Sequence, residues 1–328
     1  MQSSTPALPR ISVVVLTHDR AGPLVGTLSR LTSLPERPPV IVADNASHDD
    51  TVKLVDLLFP QVRLIQCGAD LGAAGRNRAV AAVRTDYVAF CDDDCGWEPG
   101  SLALAVKLLD GAPQVAVLSA RVLSGVGGTT DPACMRMAAN AVTARGSPGP
   151  ALTGFLAGAC VFRTAVFRSL GGYERRLCDG GEEALLALDV LNAGHVIAYC
   201  DELIVRRSGS AAPDDSAVGA QHAARQRHLA RNAAWVAWMR LPWRDVGRAT
   251  CGALATFVQT HTVWRDGCAL AGGLGWALAN RHRVNASVLA LRAEARAAER
   301  CNARLCALAA GDAQQANHTV SEPRPHDH

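Results

Sequence analysis

The sequence predicts an α/β protein with a mostly parallel central sheet flanked by helices and a helical C-terminal extension. Three observations predict it. Short apolar runs of strand composition alternate with segments of helical spacing from Ile11 to Asp94, the order that builds a parallel sheet covered on both faces. Polar residues cluster after each of those strands except the third, where they follow a short loop. Right-handed crossovers bring such strand ends to one edge of the sheet. Helical spacing then returns beyond Arg225.

The elements follow in order. Ile11 to Leu16 is a buried-strand pattern, closed by the polar turn Thr17-His18-Asp19-Arg20. Leu24, Leu28 and Leu31 lie at helical spacing within Pro23 to Leu34. Val40 to Ala43 forms a second strand, ended by Asp44-Asn45-Ala46-Ser47, and Thr51 to Phe59 a second amphipathic helix. Val62 to Gln66 is a third strand. After it, Gly72 to Arg78 opens a helix through Val83. The fourth strand, Tyr87 to Cys91, runs into three consecutive carboxylates, Asp92, Asp93 and Asp94. Adjacent aspartates repel, so the cluster is either a solvated acidic turn or a place where a cation is met. Hard carboxylate oxygens suit Mg²⁺ or Mn²⁺, and the carboxyl ends of strands are where open α/β sheets bind ligands.

The middle of the chain changes texture. Gly125 to Thr130 and Gly146 to Pro150 are loops. Thr153 to Phe162 returns to strand composition, and Thr164 to Leu170 reads as a helix ended by Gly171-Gly172-Tyr173. Asp179 to Asp189 is an acidic loop entering a helix, with Glu182 and Glu183 in its first turn. Such acids are favoured there by the helix dipole alone. Val196 to Cys200 and Leu203 to Val205 are two short strands before Arg206-Arg207. From Arg225 to Arg244, arginines and tryptophans interleave at helical spacing. That pattern serves either a membrane surface or a core covered by snorkelling arginines. Ala269 to Ala279 is the longest clean apolar run and is too short to span a bilayer. Ala286 to Leu308 forms an amphipathic helix, and the polar residues Gly311 to His328, with His326 and His328, form a disordered tail. The divisions expected are therefore a flexible 1–10, a domain over 11–244, a helical extension over 245–310 and a tail over 311–328.

Composition narrows the function. The chain has 328 residues, 49% of them hydrophobic, and a formal charge of +3, so a sizeable core is expected and bulk electrostatics do not suggest nucleic acid. Eleven cysteines at irregular spacing, with no apolar leader before Ile11, lead to the expectation of a cytoplasmic protein with reduced thiols. Cys91 and Cys95 flank the aspartates without the two further ligands that a tetrahedral zinc site needs. A dinucleotide-binding G-x-G-x-x-G belongs after the first strand, where this chain has Thr17 to Gly22 without it.

Taken together, Ser12 to Thr17, Val42-Ala43-Asp44 through Ser47, Leu71-Gly72 through Gly75-Arg76-Asn77, and Phe90 to Asp94 resemble the donor half of a family-2-type inverting glycosyltransferase of the GT-A fold. Gly158 to Arg163, Gly171 to Glu174 and Gly181-Glu182-Glu183 through Gly194 resemble its acceptor-side half. The likeness spans about residues 11 to 244, dividing them into 11–100 and 101–244. It implies a nucleotide-diphosphate sugar as donor and roles for single residues. Thr17, Asp44 (on the base), Arg76 and Asp93 fall in the donor-binding set. Asp92 and Asp94 match the D-x-D that holds a divalent ion, Mg²⁺ or Mn²⁺. Glu183 matches the general base, and Glu182 stays open because the family's pair is Glu-Asp rather than Glu-Glu. Arg207 stands where relatives carry a histidine near the metal. A guanidinium cannot ligate a cation but pairs with diphosphate oxygens. The acceptor implied is a lipid-linked or cell-envelope glycan met at the inner face of the membrane, with peripheral contact to it. A catalytically impaired sugar-nucleotide-binding protein and a nucleotidyltransferase are the alternatives.

Overall fold

The structure is a computed structural model that describes residues 9–125, 127–140, 142–208, 215–298 and 300–301, with side chains of 215–222 excluded. The expected tail 311–328, with His326 and His328, the last part of the 286–308 helix and most of the flexible 1–10 lie outside the described residues.

The first half forms as its sequence directs. β1 (Ile11–Thr17), β2 (Val40–Asp44), β3 (Arg63–Gln66) and β4 (Tyr87–Asp92) run parallel in the order β3-β2-β1-β4. β1, β2 and β4 are buried on both faces, as central parallel strands require, whereas the edge strand β3 is half-buried to exposed. The crossovers are α1 (Ala21–Thr32), α2 (Thr51–Leu58) and α3 (Gly75–Ala82), the last preceded by a short 3₁₀ turn, Gly72–Ala74. α1 buries Leu24, Leu28 and Leu31, the face its spacing marks.

The sheet continues as β4-β8-β6-β9-β5, with β8 (Ala159–Arg163) antiparallel to both β4 and β6 (Val115–Ser124). β9 (Val196–Arg207) runs parallel to β6, and β5 (Cys95–Trp97) returns antiparallel on its far side. A short β7 (Thr129–Thr130) pairs with β6. Two differences from the sequence reading stand out. Val196 to Cys200 and Leu203 to Val205 are one strand, kinked by a register shift where Arg121 pairs with Ile204 rather than with the residue after Cys200. Of the three extra residues, Asp201 and Glu202 are exposed and Leu203 is buried, so the polar pair reads as a loop in sequence but is part of a bulge in space. The strand expected from Thr153 begins only at Ala159, because Thr153 to Gly158 forms turns.

Helices α4 (Ser101–Gly111), α5 (Pro132–Ala138), α6 (Thr164–Ser169) and α7 (Glu182–Asn192) complete the sheet's covering. The C-terminal elements are α8 (Asp215–Arg240), α9 (Trp243–Gln259), α10 (Val263–Gly272), α11 (Leu274–Ala279) and a helix over 286–298, called α12. They share one continuous apolar core with the sheet through Trp235, Met239, Phe257 and Val288. The apolar run Ala269 to Ala279 is broken between α10 and α11 where Gly273 lies against the Trp235 ring with no space for a Cβ. No helix among the described residues is long and apolar enough to cross a membrane.

The alternatives for Arg225 to Arg244 are decided largely for the core. Asn232, Ala234, Val236, Ala237 and Met239 are buried. Arg240 is buried as well, with Nε 2.5 Å and Nη2 3.0 Å from the two oxygens of Asp189 on α7. Arg231 lies over the Trp235 ring at 4.6 Å. The segment's basic and aromatic residues therefore mostly bind one another and the sheet domain, rather than an external surface.

Candidate active site

The strand ends do converge. A cavity of about 540 Å³ opens at the carboxyl edge of the sheet, lined by Thr17, His18 and Arg20 after β1, Asn45 after β2, Arg76 from α3, Asp92 to Asp94 after β4, Arg207 from β9 and Arg225 from α8.

Its floor is the aspartate turn. Asp92 ends β4, and after Asp93 and Asp94 the chain enters β5. β5 places Cys95 opposite Arg207. That register, with Ser208 N–H donating to the Asp94 carbonyl at 2.8 Å, carries Arg207 to the cluster from more than a hundred residues away in sequence. α1 holds the turn from below, where Thr27 Oγ1 donates to the Asp93 carbonyl at 2.9 Å.

Each carboxylate meets a guanidinium. Asp92 accepts from Arg76 at 2.6 Å, and Arg76 is buried. Asp93 lies 3.0 Å from Arg20 Nε and accepts from the Thr17 hydroxyl at 3.0 Å. Asp94 lies 3.2 Å from the other arm of Arg20 and 3.9 Å from Arg207, which also reaches Asp131 at 3.5 Å. Of the two alternatives for this run, a solvated turn and a place where a cation is met, the arginine pairs favour the second. Asp93 is buried, and burial pushes its carboxyl up to about 6 against the pull of Arg20 and the Thr17 hydroxyl. The cation that meets the cluster is arginine. Among the described residues no three His, Cys, Asp or Glu side chains are grouped to hold a metal ion.

Asp44 takes no part in the cavity lining. It is buried at the end of β2, where its carboxylate accepts from the Ser47 N–H at 3.2 Å. Asn45 reaches the lining instead. Its amide donates to Asp70 at 3.0 Å and to the Gly72 carbonyl at 2.9 Å, fastening the turn after β2 to the glycine loop.

The second acidic pair approaches from behind. Glu182 and Glu183 open α7, after the positive-φ turn Gly180-Gly181. A Cβ on Gly181 would press within 2.9 Å of Asn232 on α8. The Asn232 amide, fully buried, donates to the carbonyls of Cys178 and Gly180 at 2.7 and 2.6 Å. α8 therefore sets the start of α7. Glu183 accepts from the Ala157 N–H at 3.3 Å. The next residue, Gly158, has no room for a Cβ because the Asp92 carboxylate occupies that space. One turn before β8 thus links Glu183 to Asp92. Burial, then the neighbouring Glu182 carboxylate, pushes Glu183 up to about 7, against the Ala157 N–H and Arg76, which pull it down. The dipole at the helix start acts the other way, toward the carboxylate form. Burial outweighs the dipole. Burial also raises Glu182, whose Oε2 is buried without a partner.

Residues 12–171 match the family model described as glycosyl transferase family 2. That stretch, just under half of the chain, holds the aspartate turn and most of the sheet. This glycosyltransferase is 26% identical over 293 residues to the N-acetylglucosaminyl-diphospho-decaprenol L-rhamnosyltransferase of Mycobacterium tuberculosis, covering 78% of this chain and 93% of that protein. Among solved structures it is similar to the mannosyltransferase PcManGT from Pyrobaculum calidifontis, in complex with GDP-Man and Mn²⁺, with a TM-score of 0.54 at 20% identity over 88% of this chain and 86% of that one. It is similar also to residues 1–349 of S. aureus TarS in complex with UDP-GlcNAc, with a TM-score of 0.56 at 16% identity over 88% of each chain. The expected GT-A fold is therefore present.

Sequence reasoning missed five lining residues of the glycosyltransferase, Leu16, His18, Arg20, Asn45 and Arg225. Arg20 was visible only as part of a polar turn, and its contact with Asp93 and Asp94 spans over seventy positions. Asn45 was overshadowed by Asp44, and its position beside Gly75, where a Cβ would lie 2.3 Å from Asn45 Oδ1, leaves no local signal. Arg225 belongs to a helix whose pattern offered a membrane surface or a covered core, not a site.

Proposed function

We propose that this glycosyltransferase moves a sugar, L-rhamnose or a related hexose, from a nucleotide-diphosphate donor to a hydroxyl of a lipid-diphosphate-linked sugar, with inversion. The observation that carries it is the meeting, through the Ala157-Gly158 turn, of the arginine-paired aspartate cavity with a half-buried glutamate of raised pKa. The printed name of the curated relative supports the sugar and the acceptor class.

In this reading the donor diphosphate lies in the cavity among Arg20, Arg76, Arg207 and Arg225. Guanidinium forks match phosphate oxygens and need no rearrangement as charge develops. Thr17 and Asp93 hold the floor of that cavity, and Asp44 and Asn45 shape the turn that faces the base. Glu183 takes the proton of the acceptor hydroxyl as that oxygen attacks the anomeric carbon. The bond from that carbon to the diphosphate breaks on the opposite face, and the nucleoside diphosphate leaves. A pKa near neutrality suits a general base. Glu182 helps set that value through its charge.

A divalent ion fits the donor set. Asp92 and Asp94 offer hard oxygens at the strand end, and Asp92 is 38% exposed. Bound there with the donor's phosphates, Mg²⁺ or Mn²⁺ would add neutralising charge for the leaving group. Because Arg76, Arg20 and Arg207 already balance these carboxylates, the ion would share that task with arginine.

The test is release of nucleoside diphosphate from a panel of nucleotide sugars, with and without Mg²⁺ or Mn²⁺ and a polyprenyl-diphosphate-linked N-acetylglucosamine acceptor. Acceptor-dependent release supports the proposal. Donor binding without release points to an impaired binding protein, and pyrophosphate release from a nucleoside triphosphate to a nucleotidyltransferase. Either would overturn it.

A further inference from the structure

The C-terminal helices carry an arginine cluster that the donor site does not use. A cavity of about 800 Å³ lies between the start of α9 and α12, lined by Arg244, Arg248, Arg292, Arg296 and Arg300. Arg292, Arg296 and Arg300 follow at i, i+4 and i+8 on one helix face, and Arg244 and Arg248 at i and i+4 on the other. Like charges at that spacing repel. Asp245 is the one acid among the described residues lining the cavity, and it is shared between Arg248 at 2.9 Å and Arg296 at 3.5 Å. Burial, then Arg296, pulls the Arg292 guanidinium down from its usual value. The arrangement is one in which an external anion relieves the repulsion.

The same helices expose large apolar side chains beside the arginines. Trp264 is 86% exposed and Val258 60%, and Leu254, Val263 and Leu278 are exposed with them. On α9, Gly247, Cys251, Leu254 and Val258 form one exposed stripe, with Arg244 and Arg248 along its flank. Val246, Ala253 and Phe257, on another side of the helix, are buried in the core. Both acids of residues 243–280 are already engaged: Asp245 as above, and Asp266, which is buried between Arg227 and Arg265. The exposed face of α9 to α11 is therefore apolar with a basic margin and no free carboxylate among the described residues.

We infer that α9 to α12 form a docking surface for an anionic phospholipid bilayer, with the arginine cavity on headgroup phosphates and Trp264, Val258 and Leu254 in the acyl boundary. A helix face of apolar residues bordered by arginine is the chemistry of interfacial binding. Charge complementarity selects anionic lipid over a neutral surface. The contact lies on the membrane, since no described helix can cross it. This surface stands apart from the transfer reaction proposed above, and its test needs no turnover.

The experiment is co-sedimentation of the full chain with vesicles of mixed phosphatidylglycerol and phosphatidylcholine, against vesicles of phosphatidylcholine alone. Binding is expected to the anionic vesicles, weakening as chloride is raised. Each arginine near such a surface contributes about a fivefold change in partitioning, so Arg292→Gln, Arg296→Gln and Arg300→Gln together should lower it about a hundredfold. These side chains are half-buried or exposed, so thermal melts should match wild type. Brominated lipid should quench tryptophan fluorescence in the wild type and much less in Trp264→Phe. An Asp94→Asn variant should bind vesicles as the wild type does, separating this surface from the donor site. Binding that is absent, or unmoved by the triple replacement, overturns the inference. So does displacement by inorganic phosphate beyond the effect of ionic strength, which would mean a discrete anion site. Concentration-dependent self-association that Trp264→Ser abolishes would assign the face to a second copy and overturn it as well.

Discussion

Two acidic clusters, joined through the Ala157-Gly158 turn, are handled in opposite ways. Asp92, Asp93 and Asp94 are each paired with an arginine, from α3, from the turn after β1 or from β9. Glu182 and Glu183 have no ion pair among the described residues; one accepts a single backbone N–H, and the other has an oxygen buried without a partner. Charge compensation suits a place that receives a diphosphate, because the carboxylates are already balanced when more negative charge arrives. Burial without compensation suits a place that must pick up a proton, because it lifts the carboxyl toward neutrality. The difference teaches that the aspartate triplet and the glutamate pair are built for different tasks, although in sequence both are short acidic runs at an element's boundary.

Removing the proposed base should break the comparison most sharply. Glu183→Gln is expected to lower turnover by about 10²–10⁴ with donor affinity unchanged, read by single-turnover kinetics and calorimetric titration of the nucleoside diphosphate. Its stability should not fall. A carboxyl raised from 4.5 to about 7 costs stability progressively as pH rises between those values, and in full above the upper one. At pH 8 the neutral amide should therefore melt no lower than wild type. A large loss of activity in Glu182→Gln with none in Glu183→Gln would exchange the two roles.

Asp92→Asn should show the reverse coupling, losing activity and stability together. It leaves the buried Arg76 guanidinium without its counter-charge, and breaking such a pair costs about 3 kcal/mol. Chemical denaturation measures it. Asp94→Asn, whose partners are more exposed, should lose transfer activity with a smaller change in stability. Equal stability losses in the two variants would mean that the Arg76 pair is not special.

Asp44→Ala probes the edge of the first cluster. Its carboxylate holds the Ser47 N–H, and losing a buried hydrogen bond of this kind costs about 1–3 kcal/mol. Binding of the free nucleoside diphosphate should weaken accordingly. Unchanged affinity would remove Asp44 from donor recognition and leave Asn45 as the contact after β2.

The smallest effect is in pH dependence. The base acts deprotonated, so kcat/KM should fall as pH drops below about 7. Glu182 is the second contributor to the rise of Glu183, after burial. Glu182→Gln should therefore move that acidic limb to lower pH while keeping most of the activity. A limb that stays in place would mean that burial alone sets the value.

The sequence by itself determined the donor half. Four apolar runs with polar residues at their ends specify a parallel sheet and one edge, because strand period, crossover length and handedness are local properties. Thr17, Asp92 to Asp94 and Arg76 were legible for that reason. Glu182 and Glu183 were legible as an acidic helix start, but not as a pair with raised pKa, because burial arises from α8 and the Ala157 turn packing over them. Tertiary structure alone decided the arginine pairing. Arg20 and Arg207 reach the aspartates across more than seventy and a hundred residues, through the β5–β9 register and the turn after β1. It also decided where the amphipathic surface lies. Arg225 to Arg244 carried the sequence signal and is mostly buried, whereas α9 to α12 carry the exposed face. Periodicity marks which residues share a side of a helix. Which side meets the core depends on what the rest of the chain places against it.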